Sequence, residues 1–254
     1  MFKLLKFIFA IATVFSLSVV YASDAFEKRV FESEDGGSLR YRIHVPESVS
    51  ADNVAPLVLF FHGAGERGSD NEAQLKHGVS ELLDYAVSRN KPAVIVAPQC
   101  PKGKQWVDTP WSDLEHTMDK APSESMALVL ELLDSIVEER WIDRRRIYVT
   151  GLSMGGFGTW DIVQRRPKFF AAAMPICGGG DVNLAKRLTK LPLWVFHGDS
   201  DKVVFTSRSR DMVAAIRALG GSPVYTEYPD TKHNSWTPTY SDAKILDWLF
   251  SQRL

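Results

Sequence analysis

Short runs of consecutive apolar residues alternate along this chain with longer stretches whose apolar residues recur every three or four positions. The runs are Pro56–Phe61, Ala93–Pro98, Arg146–Thr150, Ala171–Ile176, Leu191–Phe196 and Pro223–Tyr228. Unbroken apolar character predicts strands covered on both faces, as in a parallel sheet. Between them, Met126, Val129, Leu130, Leu133, Ile136 and Val137 fall on one helical face. Gly155–Arg166 reads as a helix stopped by Pro167, and Thr206–Leu219 as one ended by Gly220-Gly221. Ser241–Arg253 reads as a final helix with Ile245, Trp248 and Leu249 inward, and Asn71–Val87 as a further one. Near the start, Phe26–Glu32 and Ser38–Pro46 flank Glu34-Asp35-Gly36-Gly37, which predicts an antiparallel hairpin. Arg40, Arg42 and His44 alternate there with Tyr41, Ile43 and Val45, giving one apolar face and placing His44 on the solvent side. The whole pattern predicts the α/β class: one doubly wound, mostly parallel sheet with an N-terminal antiparallel hairpin and helices on both faces. Ligands of such sheets bind at the carboxyl ends of the strands.

The first residues follow another logic. Lys3 and Lys6 precede an uncharged, mostly apolar run from Phe7 to Val20, and Val20-Tyr21-Ala22 presents small residues at the −3 and −1 positions of a cleavage site. This predicts a secretory signal peptide over residues 1–22, leaving residues 23–254 as one domain in the medium or the periplasm. The apolar run is short for a span of about 20 residues, so a membrane is expected only through an uncleaved leader.

Composition adds exclusions. The 254 residues are 45% hydrophobic and 24% charged, ordinary values for a globular chain. The formal net charge is −1, and loss of residues 1–22, with two lysines and no acids, makes it −3. That balance lacks the basic footprint of a nucleic-acid binder. Arg144-Arg145-Arg146 reads as a solvated loop. No metal or other cofactor is expected: there is no H-E-x-x-H, no Cys-x-x-Cys and no early G-x-G-x-x-G.

The strongest chemical signal is Gly151-Leu152-Ser153-Met154-Gly155, set between an apolar strand and a helix. G-x-S-x-G in that context is a sharp turn that stands the Ser153 hydroxyl above the sheet, over a helix N-terminus that favours developing negative charge. A serine hydroxyl needs a base, and the base an acid to orient it. His233 follows the last strand and is the only histidine beyond the candidate acids. Asp201 lies just past the strand ending at Phe196; Asp199, suited to a turn, and Asp181, one strand earlier, are its rivals. Met154 N–H and an N–H of the loop His62-Gly63-Ala64-Gly65-Glu66-Arg67-Gly68, assigned to Ala64, would form an oxyanion hole. His62 precedes the nucleophile and is expected to organise that loop, with Glu66 and Arg67 bracing it.

With these residues in view, the chain resembles the α/β-hydrolase superfamily. More narrowly it is similar to phospholipase/carboxylesterase-type esterases and to the secreted "predicted peptidase" and feruloyl-esterase-like proteins near them. The resemblance rests on His62-Gly-Ala-Gly-Glu-Arg-Gly, Ala97-Pro-Gln-Cys-Pro, Gly151-Leu-Ser-Met-Gly-Gly, His197-Gly-Asp-Ser-Asp and His233-Asn-Ser-Trp. It implies a serine hydrolase working through an acyl-enzyme on Ser153, His233 and Asp201, with a small-molecule or polysaccharide-linked ester as substrate. A peptidase of prolyl-oligopeptidase-like type acting on short peptides is the alternative, and a non-catalytic binding protein on this scaffold a remoter one. The resemblance also separates the strands ending near Cys100 and Cys177 by two others. Three spacings of about 4.8 Å put roughly 14 Å between the cysteines, too far for a disulfide. Two free, buried thiols are therefore expected.

Trp106, Trp111 and Trp236 fall in or beside the loops at the presumed catalytic face, and the connection Pro101–Pro122 is long. These tryptophans are the candidate substrate-binding surface, suited to an aryl group or a sugar ring.

Overall fold

The computed structural model describes residues 22–254, so the expected leader lies outside the described residues except for Ala22. The backbone of residues 27–228 builds one eight-stranded sheet: β1 (Glu27–Glu32), β2 (Ser38–His44), β3 (Ala55–Phe61), β4 (Val94–Pro98), β5 (Ile142–Leu152), β6 (Ala172–Ile176), β7 (Trp194–Gly198) and β8 (Val224–Tyr228). Their spatial order is β1-β2-β4-β3-β5-β6-β7-β8. β1 and β2 form the hairpin, β2 meets β4 antiparallel, and every other neighbour is parallel. This is the α/β-hydrolase fold.

β3 shows why its run carries no polar residue. Leu57, Leu59 and Phe61 enter one core layer, while Val58 and Phe60 enter the other. Helices α2 (Glu124–Val137), α3 (Met154–Arg165) and α4 (Ser207–Ala218) supply the first layer. α1 (Val79–Ser88), α5 (Trp236–Ser241) and α6 (Ala243–Ser251) supply the second. Among the described residues no helix is long and apolar enough to cross a membrane.

Three expected elements change. The helix expected over Asn71–Val87 begins only at Val79. Asn71 instead donates from its side chain to the carbonyls of Arg29 and Tyr41 and accepts from Gln74, so local side-chain bonding displaces the first helical turns. Gly78, at φ 78°, then turns the chain into α1. The helix expected over Ser241–Arg253 begins at Ala243, because Asp242 is extended and caps it by accepting from Lys244 N–H. Arg144-Arg145-Arg146 lies within β5, although the ladder jumps from Ala55↔Ile142 to Leu57↔Ile147, so the arginines bulge out of register with β3.

The long 101–122 connection is pinned from below. Arg208 on α4 is 2% exposed; it donates to Asp113 O at 3.0 Å and to His116, and its guanidinium lies 5.3 Å from the Phe157 ring. Burial and that guanidinium lower the His116 pKa to about 4, so the ring is a neutral acceptor.

Candidate active site

The carboxyl ends of β3, β5, β7 and β8 converge on one small cavity. β5 ends at Leu152, and Ser153 turns the chain into α3 with φ 55°, a conformation few non-glycine residues adopt. The turn closes only because position 155 has no side chain: a Cβ there would lie 2.0 Å from Phe61 O. Ser153 N–H is fixed by Ile176 O at 3.0 Å.

His233 reaches Ser153 from the loop after β8. Its Nε2 is 2.8 Å from Ser153 Oγ and its Nδ1 is 2.7 Å from Asp201 Oδ2. A carboxylate can only accept, so Nδ1 carries the hydrogen and Nε2 is free to accept from the serine hydroxyl. The His233 loop crosses directly over Gly198, where a Cβ would sit 2.2 Å from Thr231 O. The last residue of β7 must therefore be bare.

Asp201 is 5% exposed. Its Oδ1 accepts from the amides of Val203 at 2.8 Å and Val204 at 3.1 Å, and its Oδ2 faces His197 Nε2 at 3.3 Å as well as His233. Burial raises its pKa, but its neighbours His197, His233 and Val203 outweigh burial and hold it far below the usual carboxylate range. The rivals are elsewhere: Asp199 is exposed and accepts from the Ser200 hydroxyl, while Asp181 caps the turn after β6 and accepts from Met118 N–H.

Met154 opens α3, so its N–H is among the amides a helix leaves without an internal carbonyl. Ala64 opens a short 3-10 turn on the facing loop after β3. His62 holds that loop: its Nε2 accepts from Cys100 N–H at 2.9 Å and its Nδ1 donates to Gly63 O at 2.6 Å. Complete burial lowers its pKa to about 4, keeping the ring neutral for this dual role. Arg67 braces the same loop by donating to Ala64 O and Lys104 O.

The cavity over Ser153 has a volume of about 210 Å³. Trp111 and Trp236 line it with Ser153, His233, Ala64, Glu66 and His77. Trp106 does not. It is fully buried, donates from Nε1 to His62 O at 3.1 Å, and packs edge-on against Phe61 and His62. Its expected place on the binding surface is thus corrected: the ring spends its face and its N–H on the floor of the loop. Beyond Trp111 lies an open concavity of about 400 Å³ lined by Gln105, Asp108, Thr109, Pro110, Trp111 and Ser112. A larger hollow, about 530 Å³, lies across α1, α5 and α6 and contains none of these residues.

Sequence reasoning missed His197 as a neighbour of Asp201 and gave Glu66 only the role of bracing its loop. His197 was legible as the first residue of His197-Gly-Asp-Ser-Asp, one helical turn's spacing before Asp201. Glu66 had no signal beyond lying two residues past Ala64. Cys177 is a third surprise: its thiol, the Asp201 carboxylate and a ring nitrogen of His233 lie within 4.8 Å of one another. These are the ligand types that could surround a cation, but the hydrogen shared by His233 and Asp201 already occupies that space. Cys100 and Cys177 are free and buried.

The profile of the phospholipase/carboxylesterase family matches residues 47–245. Among curated proteins, poly(3-hydroxyalkanoate) depolymerase C of Paucimonas lemoignei is 31% identical over 149 residues, covering 56% of this chain and 32% of its own. The bifunctional acetylxylan esterase/xylanase XynS20E of Neocallimastix patriciarum is 25% identical over 218 residues, covering 86% of this chain and 29% of its own. The chain thus spans about a third of the length of these relatives. A solved thermostable esterase superposes with a TM-score of 0.84 at 38% identity, covering 91% of this chain and 64% of that one.

Proposed function

Because this chain belongs to the phospholipase/carboxylesterase family, we propose that it is an exported serine hydrolase cleaving carboxylic esters through an acyl-enzyme. The observation that carries this reading is the unbroken hydrogen-bond chain from Ser153 through His233 to Asp201.

Ser153 Oγ attacks the ester carbonyl carbon while His233 Nε2 takes its proton. Asp201 holds the imidazole in the required tautomer and stabilises the imidazolium. The carbonyl oxygen, now negative, rests on the N–H groups of Met154 and Ala64. Collapse expels the alcohol, which takes the proton from His233, and leaves the acyl group on Ser153. Water then attacks with His233 again as base, releasing the acid and restoring the serine.

Substrate size follows from the cavity. At about 210 Å³ it is smaller than the roughly 300–1,000 Å³ of pockets for drug-sized ligands, which favours a short acyl group. The open concavity past Trp111 leaves room for a bulky alcohol, such as a polysaccharide unit, and the name of the Neocallimastix relative includes acetylxylan esterase. Export rests on the leader pattern of residues 1–22.

The test is a substrate panel on purified protein and its Ser153→Ala variant: p-nitrophenyl acetate, butyrate and laurate, methyl ferulate, acetylated xylan and an aminoacyl p-nitroanilide. Acetate and acetylated xylan are expected to react and laurate to react poorly. The variant is expected to lose about six orders of magnitude in kcat. Equal activity in the variant would remove Ser153 as nucleophile, and cleavage of the anilide alone would make the protein a peptidase.

A further inference from the structure

Within the cavity over Ser153, one carboxylate stands without a hydrogen-bond donor. The Glu66 side chain is only 8% exposed, yet among the described residues no group donates a hydrogen bond to its carboxylate. His77 is nearby, but its Nε2 stays 3.8 Å from Oε1, beyond hydrogen-bond reach. Asp201, buried in the same site, has three donors around it. A largely buried carboxylate without protein donors is poorly satisfied, and a ligand entering the cavity can supply the donors it lacks.

Cations, amides and hydroxyls all carry donors for a carboxylate. The surroundings favour hydroxyls. The Arg67 guanidinium lies 5.8 Å from the Trp111 ring, occupying the aromatic neighbour a cationic ligand would use, and adds a like charge. Trp236 is flanked by His233 and His77, at 5.4 Å and 5.8 Å between ring centroids. Neutral hydroxyl donors meet no such opposition.

Resting on the ester-hydrolase reading, we propose that Glu66 is the specificity residue for the alcohol side of the substrate, accepting hydrogen bonds from free hydroxyls of a partly acylated sugar. The remainder of the saccharide extends past Trp111 over Gln105, Asp108 and Thr109.

The experiment compares two esters differing only in these donors: a methyl β-xyloside bearing one acetyl group, and the same compound with its remaining hydroxyls methylated. Its readout is the ratio of their kcat/KM values, which a general loss of activity leaves unmoved. The wild-type protein is expected to prefer the hydroxylated ester by roughly tenfold or more. Glu66→Ala is expected to bring the ratio near one, and Glu66→Gln, whose amide oxygen still accepts, to keep part of the preference. Absence of preference in the wild type, or a ratio unchanged in Glu66→Ala, overturns the proposal. So does a preference for acetylcholine over its uncharged isostere that Glu66→Ala abolishes. Failure of the wild-type protein to hydrolyse either sugar ester or p-nitrophenyl acetate overturns the ester-hydrolase reading itself.

Discussion

His197 stands behind Asp201: its Nε2 lies 3.3 Å from the same Oδ2 that His233 Nδ1 meets at 2.7 Å. The hydrogen on that nitrogen goes to the Val204 carbonyl at 2.9 Å, so the ring stands beside the acid while tying down the turn that carries it. His197 does not line the cavity over Ser153, and its expected role is to position Asp201. Replacing it with Ala is expected to lower kcat several-fold with little change in KM, because the ring fixes the turn whose Val203 and Val204 amides bond Asp201. Asp201 would lose one of the neighbours that depress its pKa, so activity on the acid side should begin to fall at a higher pH than in the wild type. Measured pH profiles of kcat for the two proteins check this, and an unmoved acid limb would remove the positioning role.

Stability should fall as the solution is acidified below neutral, and His62 is one reason. Its folded pKa is lowered to about 4 by burial, whereas a free histidine titrates near 6.5. Between those values the unfolded chain binds a proton that the folded chain refuses, so acidification favours unfolding. From pH 7 to pH 5 the loss from this residue is about 2 kcal/mol. His116, also lowered to about 4, acts in the same direction. Urea unfolding at the two pH values gives the difference, and His62→Asn should show a shallower dependence.

The elbow tolerates no side chain at position 155 but has room at position 65. A Cβ on Gly155 would lie 2.0 Å from Phe61 O, while one on Gly65 would meet nothing within 4 Å. Gly155→Ala is expected to destabilise the protein by more than about 4 kcal/mol, in the range of severe core disruptions. Gly65→Ala should leave the melting temperature within a degree or two. Thermal unfolding of the pair tests the contrast.

Both thiols should be inert in the folded protein. Burial pushes Cys177 up to about 12 and Cys100 up to about 11, so neither forms thiolate near neutral pH. The strands preceding them, β6 and β4, are separated in the sheet by β3 and β5. Ellman's reagent is expected to find no thiol in native protein and both in guanidinium chloride, without prior reduction. Rapid reaction of one thiol in the native state would contradict the burial.

How far the sequence reached follows from what kind of signal each part leaves. β3 was legible because strands covered on both faces admit only apolar residues, and Leu57 to Phe61 supply them to two core layers. Ser153 was legible because its turn demands small neighbours at fixed offsets. Asp201 and His233 followed from their places after strands, and the structure brings them to Ser153. Trp106 misled because an indole on a loop has the same sequence signature whether it faces substrate or, as here, the loop's own floor. The start of α1 was invisible because Asn71 bonds to Arg29 and Tyr41, partners distant in sequence. Glu66 was legible only as a brace of its loop, because the donors its carboxylate lacks are a property of the fold.

The three groups of the proposed relay stand on separate strand ends, with 80 positions between Ser153 and His233. This sets a timetable for biosynthesis. A ribosome adding about 5–20 residues per second finishes the elbow several seconds before it finishes the histidine. Through that interval the serine is an ordinary alcohol with no base to activate it. The nascent chain is therefore chemically silent until β8 pairs with β7 and its following loop settles over Gly198. Return of hydrolysis in a refolding experiment would accordingly date the docking of the far edge of the sheet and not the formation of the elbow.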